Sequence, residues 1–259
     1  MCAYLATFLS LGYAAVAAGV PFHQWIALIS VAVATAVTVG TVERGQWRLG
    51  LFVRPPLAAR ELLFGLSFAV ILILACDALI LLSTGARHRA GSGFPWIELM
   101  TVFFPAAIHE ELLFRGYVFQ KLRRWRRGAA IVLSAAIFAA LHGRNIGVSP
   151  IALANVFLAG VLLALSYERY ARLWFPIGIH LAWNILSGPI LGYPVSGFVA
   201  AESVLRTAIS GPLWLAGGNF GIEGSVWMGV AEVGGIVWLM NAERRMQNEE
   251  VRKGGISSF

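Results

Sequence analysis

A single all-α bundle of about eight membrane-spanning helices is the fold that this sequence predicts, and three observations predict it. The first is composition: 58% of the 259 residues are hydrophobic, only 13% are charged, and the mean hydropathy is +0.74. A soluble globular domain is about 45–50% apolar and about 25% charged. The second is that apolar runs of roughly 17–25 residues, the length needed to cross a bilayer as a helix, recur along the chain. The third is a one-sided distribution of Lys and Arg between the connections. A closed β-barrel would need alternating ten-residue segments, which this chain lacks.

The first run, about 3–21, opens MCAYLATFLSLGYAAVAAG. It has no positive n-region and a second run follows at once, so it reads as a retained helix rather than a cleaved signal. The next two cover about 24–42 and 58–83. The fourth, about 95–120, holds AIHEELLFRG from Ala107 to Gly116. The fifth, about 128–143, is short and leans on its neighbours. The sixth and seventh cover about 149–168 and 173–191, and the eighth about 225–241. Between the last two, about 192–224 is rich in Gly and Pro and reads as irregular or re-entrant chain. No repeat, low-complexity tract or soluble domain interrupts residues 1–259.

With the N-terminus placed in the cytoplasm, the inside connections carry 15 of the 20 Lys and Arg and the outside connections four. Arg115 lies within a run. This positive-inside bias predicts both termini in the cytoplasm. It also accounts for the net charge of +7 through short membrane-face loops, which makes the lipid bilayer the partner and argues against nucleic acid. The Trp125-Arg126-Arg127 run reads as an aromatic and basic interfacial anchor. The two cysteines, Cys2 and Cys76, sit in apolar runs and exclude a disulfide framework or a multi-cysteine zinc site.

Ionisable groups inside spans are functional candidates by default. Glu111 and Arg115 are four apart and share a helical face, so they can pair. Glu110 is rotated by about 100° and is left without that cation, a setting that raises a carboxyl pKa and suits a general base. Phe138 and His142 share a face of the fifth run, and His180 and Asn184 share a face of the seventh. At about 1.5 Å per residue, Glu110 lies about 18 Å from the cytoplasmic end of its run, His142 about 21 Å and His180 about 10–15 Å. Three helices thus converge on the middle of a core about 30 Å thick. Taken singly, each histidine or asparagine also fits an interhelical hydrogen-bonding role; together they point to one shared site. Asp77 and Glu232 are weaker candidates, read as packing or pairing residues. His109 points elsewhere on its helix, and His23 and His88 fall in loops.

These residues carry a resemblance. Glu110-Glu111-x-x-x-Arg115, Phe138-x-x-x-His142 and His180-x-x-x-Asn184, in that order on separate helices, resemble the three motifs of the CPBP family. That family comprises type II CAAX prenyl endopeptidases and bacteriocin-processing or self-immunity proteins, and is also called the Abi family. EELLFRGY and FPIGIHLAWN are typical of it, and the likeness covers about residues 95–191. SGPLWLAGGNFGIEGS is similar to a segment of some bacterial members.

The resemblance implies intramembrane hydrolysis of a peptide bond in a membrane-associated substrate, a prenylated CAAX-type protein or a leader peptide, in a bacterial inner membrane. It implies that Glu110 activates water with help from His142, and that His180 and Asn184 hydrogen-bond the oxyanion. Glu111 and Arg115 order the site or bind substrate backbone, and Phe138 supports it. The family has also been labelled metalloprotease, and Glu110, His142 and His180 could form a three-ligand zinc site with an open water position. No HExxH pattern is present, and a metal-free glutamate mechanism is the favoured reading. The alternatives are a non-catalytic immunity or scaffold protein, against which the complete motifs argue, and a proton-coupled transporter. The absence of a two-half repeat argues against the latter.

Overall fold

The computed structural model describes residues 2–17, 24–43 and 50–252. Eight long helical rods dominate it. They are α1 (Cys2–Ala17), α2 (Gln24–Thr41), α3 (Pro55–Thr84), α4 (96–123), α5 (Arg127–His142), α6 (Pro150–Tyr170), α7 (174–190) and α8 (Val226–Arg252). Each lies within a few residues of an apolar run read from the sequence, except that α8 continues past the expected end to a polar tail. The expected end of the first run, His23, and the loop with Arg44 and Arg48 lie outside the described residues, as does Lys253.

Three rods, α2, α3 and α6, are long and apolar enough to cross a membrane by length and composition. The others miss for definable reasons. α5 has only 16 residues, and α4 spends part of its length on Glu110, Glu111, Arg115 and the basic Lys121 and Arg123. Helix boundaries follow local chemistry. Pro55 and Pro56 open α3, where their missing N–H groups cost nothing, and Gly85 closes it with φ 73°. Ser149 caps α6, its hydroxyl accepting from Ala152 N at 3.1 Å.

α4 and α7 are not uniform helices. α4 widens into π turns at Leu99–Phe103 and Phe114–Val118, and α7 ends in one at Leu186–Ile190. Pro105 cannot donate to the preceding turn, which accounts for the first, and Pro189 does the same for the third. At the second, Gln120 Nε2 donates to the freed carbonyls of Gly116 at 2.9 Å and Arg115 at 3.3 Å. Single π turns of this kind recur at functional sites.

Small residues let the rods approach. A Cβ on Gly65 of α3 would lie 2.3 Å from the Phe175 carbonyl of α7, and one on Gly178 would lie 2.4 Å from the Leu62 carbonyl. Such close backbone packing is the usual means of helix association in an apolar solvent. The largest core cluster joins Phe68, Ile73, Phe175, Ile179, Trp183 and Met228 from α3, α7 and α8.

The all-α expectation needs one correction. Residues Arg87–Ala90 (β1) pair antiparallel with Leu205–Ala208 (β2), with His88 opposite Thr207. His88 is therefore in a strand rather than a loop. The 192–224 segment, read as irregular or re-entrant, carries several short elements. It contains β2, a one-turn helix at Leu213–Ala216 and 3₁₀ turns at Gly218–Phe220 and Ile222–Gly224. Gly221 (φ 99°) passes so close to Pro194 that a Cβ would meet its carbonyl at 1.8 Å.

The basic ends gather on one face of the bundle. Glu43 pairs with Lys121 at 2.7 Å and Arg124 at 2.8 Å, and Arg123 and Arg127 both pair with Glu168. Arg127 also reaches Glu243, and Arg172 reaches Glu61. Of the residues read as an interfacial anchor, Trp125 is 72% exposed, and Arg127 is engaged by two carboxylates, Glu168 and Glu243.

Candidate active site

The three motif helices meet at one cavity of about 190 Å³, lined among others by Glu110, Phe138, His142, His180 and Asn184. Glu110 is presented by α4 between its two π turns, and its side chain is 20% exposed. The adjacent Glu111 is fully buried and points away from the cavity. The 100° step between neighbouring residues thus separates the two carboxylates as the helical geometry requires.

Glu111 is a junction. Its Oε1 accepts from Arg115 Nη1 at 3.0 Å, one turn on, and from His180 Nδ1 at 2.9 Å, across on α7. Arg115 is itself wholly buried. Its Nη2 donates to the Gly160 carbonyl at 3.0 Å, and its guanidinium lies 4.9 Å from the centre of the Phe138 ring. A Cβ on Gly160 would fall 2.8 Å from Ala135 Cα. That glycine therefore both seats α6 against α5 and leaves its carbonyl open to the cation. Phe138 also packs edge-on to Phe114 at 5.0 Å and beside the His142 ring at 4.7 Å.

The hydrogen bonds assign the two imidazoles. His142 Nδ1 lies 2.8 Å from the Phe138 carbonyl, which can only accept, so Nδ1 carries the proton. Nε2 of the neutral ring then offers its lone pair. His180 commits its Nδ1 proton to the Glu111 carboxylate and directs Nε2 toward Glu110 Oε2, 3.9 Å away. This amends the expectation that Glu110 stands without a cation: His180, when protonated, is its counter-charge. Asn184 is buried beside them, and its Nδ2 is held only loosely, 3.5 Å from the Phe103 carbonyl.

The weaker candidates separate. Asp77 accepts from Tyr193 OH at 2.7 Å and pairs with His88 Nε2 at 3.0 Å, in a cluster that fastens the β-ribbon to α3. His109 Nδ1 bonds the Pro105 carbonyl at 3.1 Å and does not line the cavity. Glu232, by contrast, lines it. So does Glu223, which the sequence reading passed over inside the 192–224 segment. Glu223 Oε1 accepts from Trp183 Nε1 at 2.9 Å, and Oε2 from the Ser196 hydroxyl at 2.8 Å and the Ser196 N–H. The signal available was a lone carboxylate in the apolar stretch GNFGIEGSVW.

Among the described residues, no three side chains of His, Cys, Asp and Glu are placed to hold a metal ion. Glu110, His142 and His180 face one cavity without forming a ligating set.

Residues 92–186 match the family model described as type II CAAX prenyl endopeptidase Rce1-like. That segment is similar to the Rce1-like family. It contains Glu110, Glu111, Arg115, Phe138, His142, His180 and Asn184, and the family is one of proteases. A protein of Escherichia coli described as an uncharacterized 24.3 kDa protein is 28% identical over 88 residues, 33% of this chain. The match spans 40% of that relative's length. No solved structure matches the chain. The Rce1-like segment supplies one wall of the cavity, while Ser196, Glu223 and Glu232, all outside it, supply another.

Proposed function

We propose that this protein is an intramembrane endopeptidase that hydrolyses a peptide bond of a membrane-associated substrate with a glutamate-activated water. The observation that carries the reading is the shared cavity. An accessible carboxylate, a neutral imidazole with its lone pair available and two amide or imidazole donors face one space among buried apolar residues. Glu110 takes the proton of a water hydrogen-bonded to His142 Nε2, and the resulting hydroxide attacks the substrate carbonyl. His180 Nε2–H and Asn184 Nδ2–H receive the developing oxyanion, which gains most from fixed donors in a site of low dielectric. Glu110 then returns the proton to the leaving amine.

Because the Nδ1 proton of His180 is held by Glu111, donation from Nε2 requires the imidazolium form. Turnover therefore needs Glu110 ionised and His180 protonated, which gives a bell-shaped pH profile. The substrate class, a prenylated CAAX-type or leader peptide, comes from the family resemblance and from the membrane setting. The gathering of the basic ends on one face supports a bacterial inner-membrane orientation with that face, and both termini, in the cytoplasm.

The test is cleavage by protein reconstituted in liposomes, offered a farnesylated CAAX peptide and an unlipidated leader-type peptide, with products read by mass spectrometry. Cleavage by wild type and none by Glu110→Ala is the expected result. No cleavage of either peptide by folded wild-type protein would overturn the assignment.

A further inference from the structure

We propose that the wall of the cavity outside the Rce1-like segment is a recognition pocket for a cationic side chain of the substrate, a lysine ammonium or arginine guanidinium. This rests on the proteolytic reading of the same cavity. Three carboxylates line the space, those of Glu110, Glu223 and Glu232, and among the described residues no Lys or Arg does. Glu110 faces the two imidazoles. Glu223 and Glu232 come from the other side, from the 3₁₀ turn Ile222–Gly224 and from α8.

Those two differ in a telling way. Glu223 is held rigidly by Trp183 and Ser196, so its position is set in advance. Glu232 is 1% exposed, and its Oε2 has no hydrogen-bond partner among the described residues. A buried carboxylate oxygen without a donor carries the full cost of leaving water, which a bound cation offsets. Trp183 adds an aromatic lining beside the Glu223 carboxylate. Acidic oxygens next to an indole are the usual setting for an organic cation. A metal ion fits less well, since no three side chains here form a ligating set.

The turn that carries Glu223 is anchored for precision. Asn155 Nδ2 donates to the carbonyls of Glu223 and Ser225, both at 2.7 Å, and Asn145 Nδ2 to that of Ser196 at 3.0 Å. These bonds tie the 192–224 segment to α6 and to the end of α5. The pocket is thereby fixed relative to His142 and Glu110. A basic residue seated on Glu232 would set which neighbouring peptide bond reaches Glu110.

The experiment measures binding rather than turnover, so that it fails independently of the proteolytic reading. Full-length Glu110→Gln protein in nanodiscs is titrated with fluorescent acylated peptides that carry one Lys or its uncharged isostere norleucine at successive positions. At one position the Lys peptide binds at least about tenfold more tightly than the norleucine peptide. Adding Glu232→Gln brings the ratio to within about threefold of unity, while Glu232→Asp restores part of it. Equal affinities at every position, or a preference for Lys that survives Glu232→Gln, overturn the proposal. If Glu232→Gln fails to fold, the Lys-to-norleucine ratio in the Glu110→Gln protein decides alone. Selective Lys binding without cleavage of any peptide by wild type would keep the pocket and sink the protease.

Discussion

Glu111 and His180 are joined across two helices by a 2.9 Å hydrogen bond, and the carboxylate oxygen that receives His180 Nδ1–H also receives Arg115 Nη1–H at 3.0 Å. One buried oxygen therefore fixes both the cation of its own helix and the tautomer and orientation of an imidazole on α7. The two adjacent glutamates divide their surroundings: Glu110 faces the cavity, and Glu111 holds the His180 that also lines it.

Substitution separates them. Glu110→Gln should remove turnover and shift stability by no more than about 1 kcal/mol, because its Oε2 makes no hydrogen bond that folding relies on. Glu111→Gln should also lose activity, with a destabilisation of about 3–5 kcal/mol, since it leaves Arg115 buried without its carboxylate. Thermal unfolding in detergent beside a cleavage assay reads both. Equal stability losses in the two variants would count against the division.

Gly160 supports the same arrangement from α6. Gly160→Leu should force α5 and α6 apart, costing about 1–3 kcal/mol as overpacking, because even its Cβ would meet Ala135 Cα at 2.8 Å. Arg115 would lose the Gly160 carbonyl, so activity should fall further than the stability loss alone explains. An active, fully stable Gly160→Leu protein would show that this contact is dispensable.

On the basic face, Glu43 gives a pH-dependent prediction. The hydrogen bond from Lys121, then the charges of Lys121 and Arg124, hold its carboxyl below the ordinary glutamate value of 4.5. A lowered pKa contributes stability that is present above pH 4.5 and is lost as pH falls through the lower folded-state value. Lys121 and Arg124 are 31% and 42% exposed, so the effect is screened and worth at most about 1 kcal/mol. Wild type should lose its advantage over Glu43→Gln as pH drops below 4.5, and high salt should shrink the difference at pH 7. An advantage that grows on acidification would contradict the pairing.

Much of this architecture could be read from one dimension because hydropathy and helical period are local properties. Apolar run length located all eight rods, and the i, i+4 spacings of Glu111 with Arg115 and of Phe138 with His142 put each pair on one face. What escaped was set by contacts far apart in sequence. The Glu111–His180 bond spans 69 residues and the Trp183–Glu223 bond 40, and neither has a periodic signature. The β-ribbon escaped because four-residue strands are too short to alternate visibly, and β1 pairs with a partner more than 100 residues away. The 192–224 segment read as irregular because its fold depends on glycines at positive φ, such as Gly192, Gly197, Gly217 and Gly221, whose conformations composition does not specify.

Asn184 and the metal question are decided by one set of measurements. If a water held by Glu110 and His142 is the nucleophile, and His180 with Asn184 receives the oxyanion, then Asn184→Ala should lower kcat with little change in KM. Loss of one oxyanion donor costs about 10²–10³-fold, roughly 2.7–4 kcal/mol. Asn184 suits that part because its Nδ2 contact with the Phe103 carbonyl is 3.5 Å long and easily given up. Activity should then survive exhaustive chelation, and purified protein should carry far less than one zinc per chain. A zinc held by Glu110, His142 and His180 predicts otherwise: each ligand substitution strips the metal, and Asn184→Ala leaves it bound. Metal analysis of wild type and the four variants beside turnover separates the two. Stoichiometric zinc whose removal and return switch cleavage off and on would sink the metal-free water mechanism while leaving the Rce1-like assignment of residues 92–186 in place.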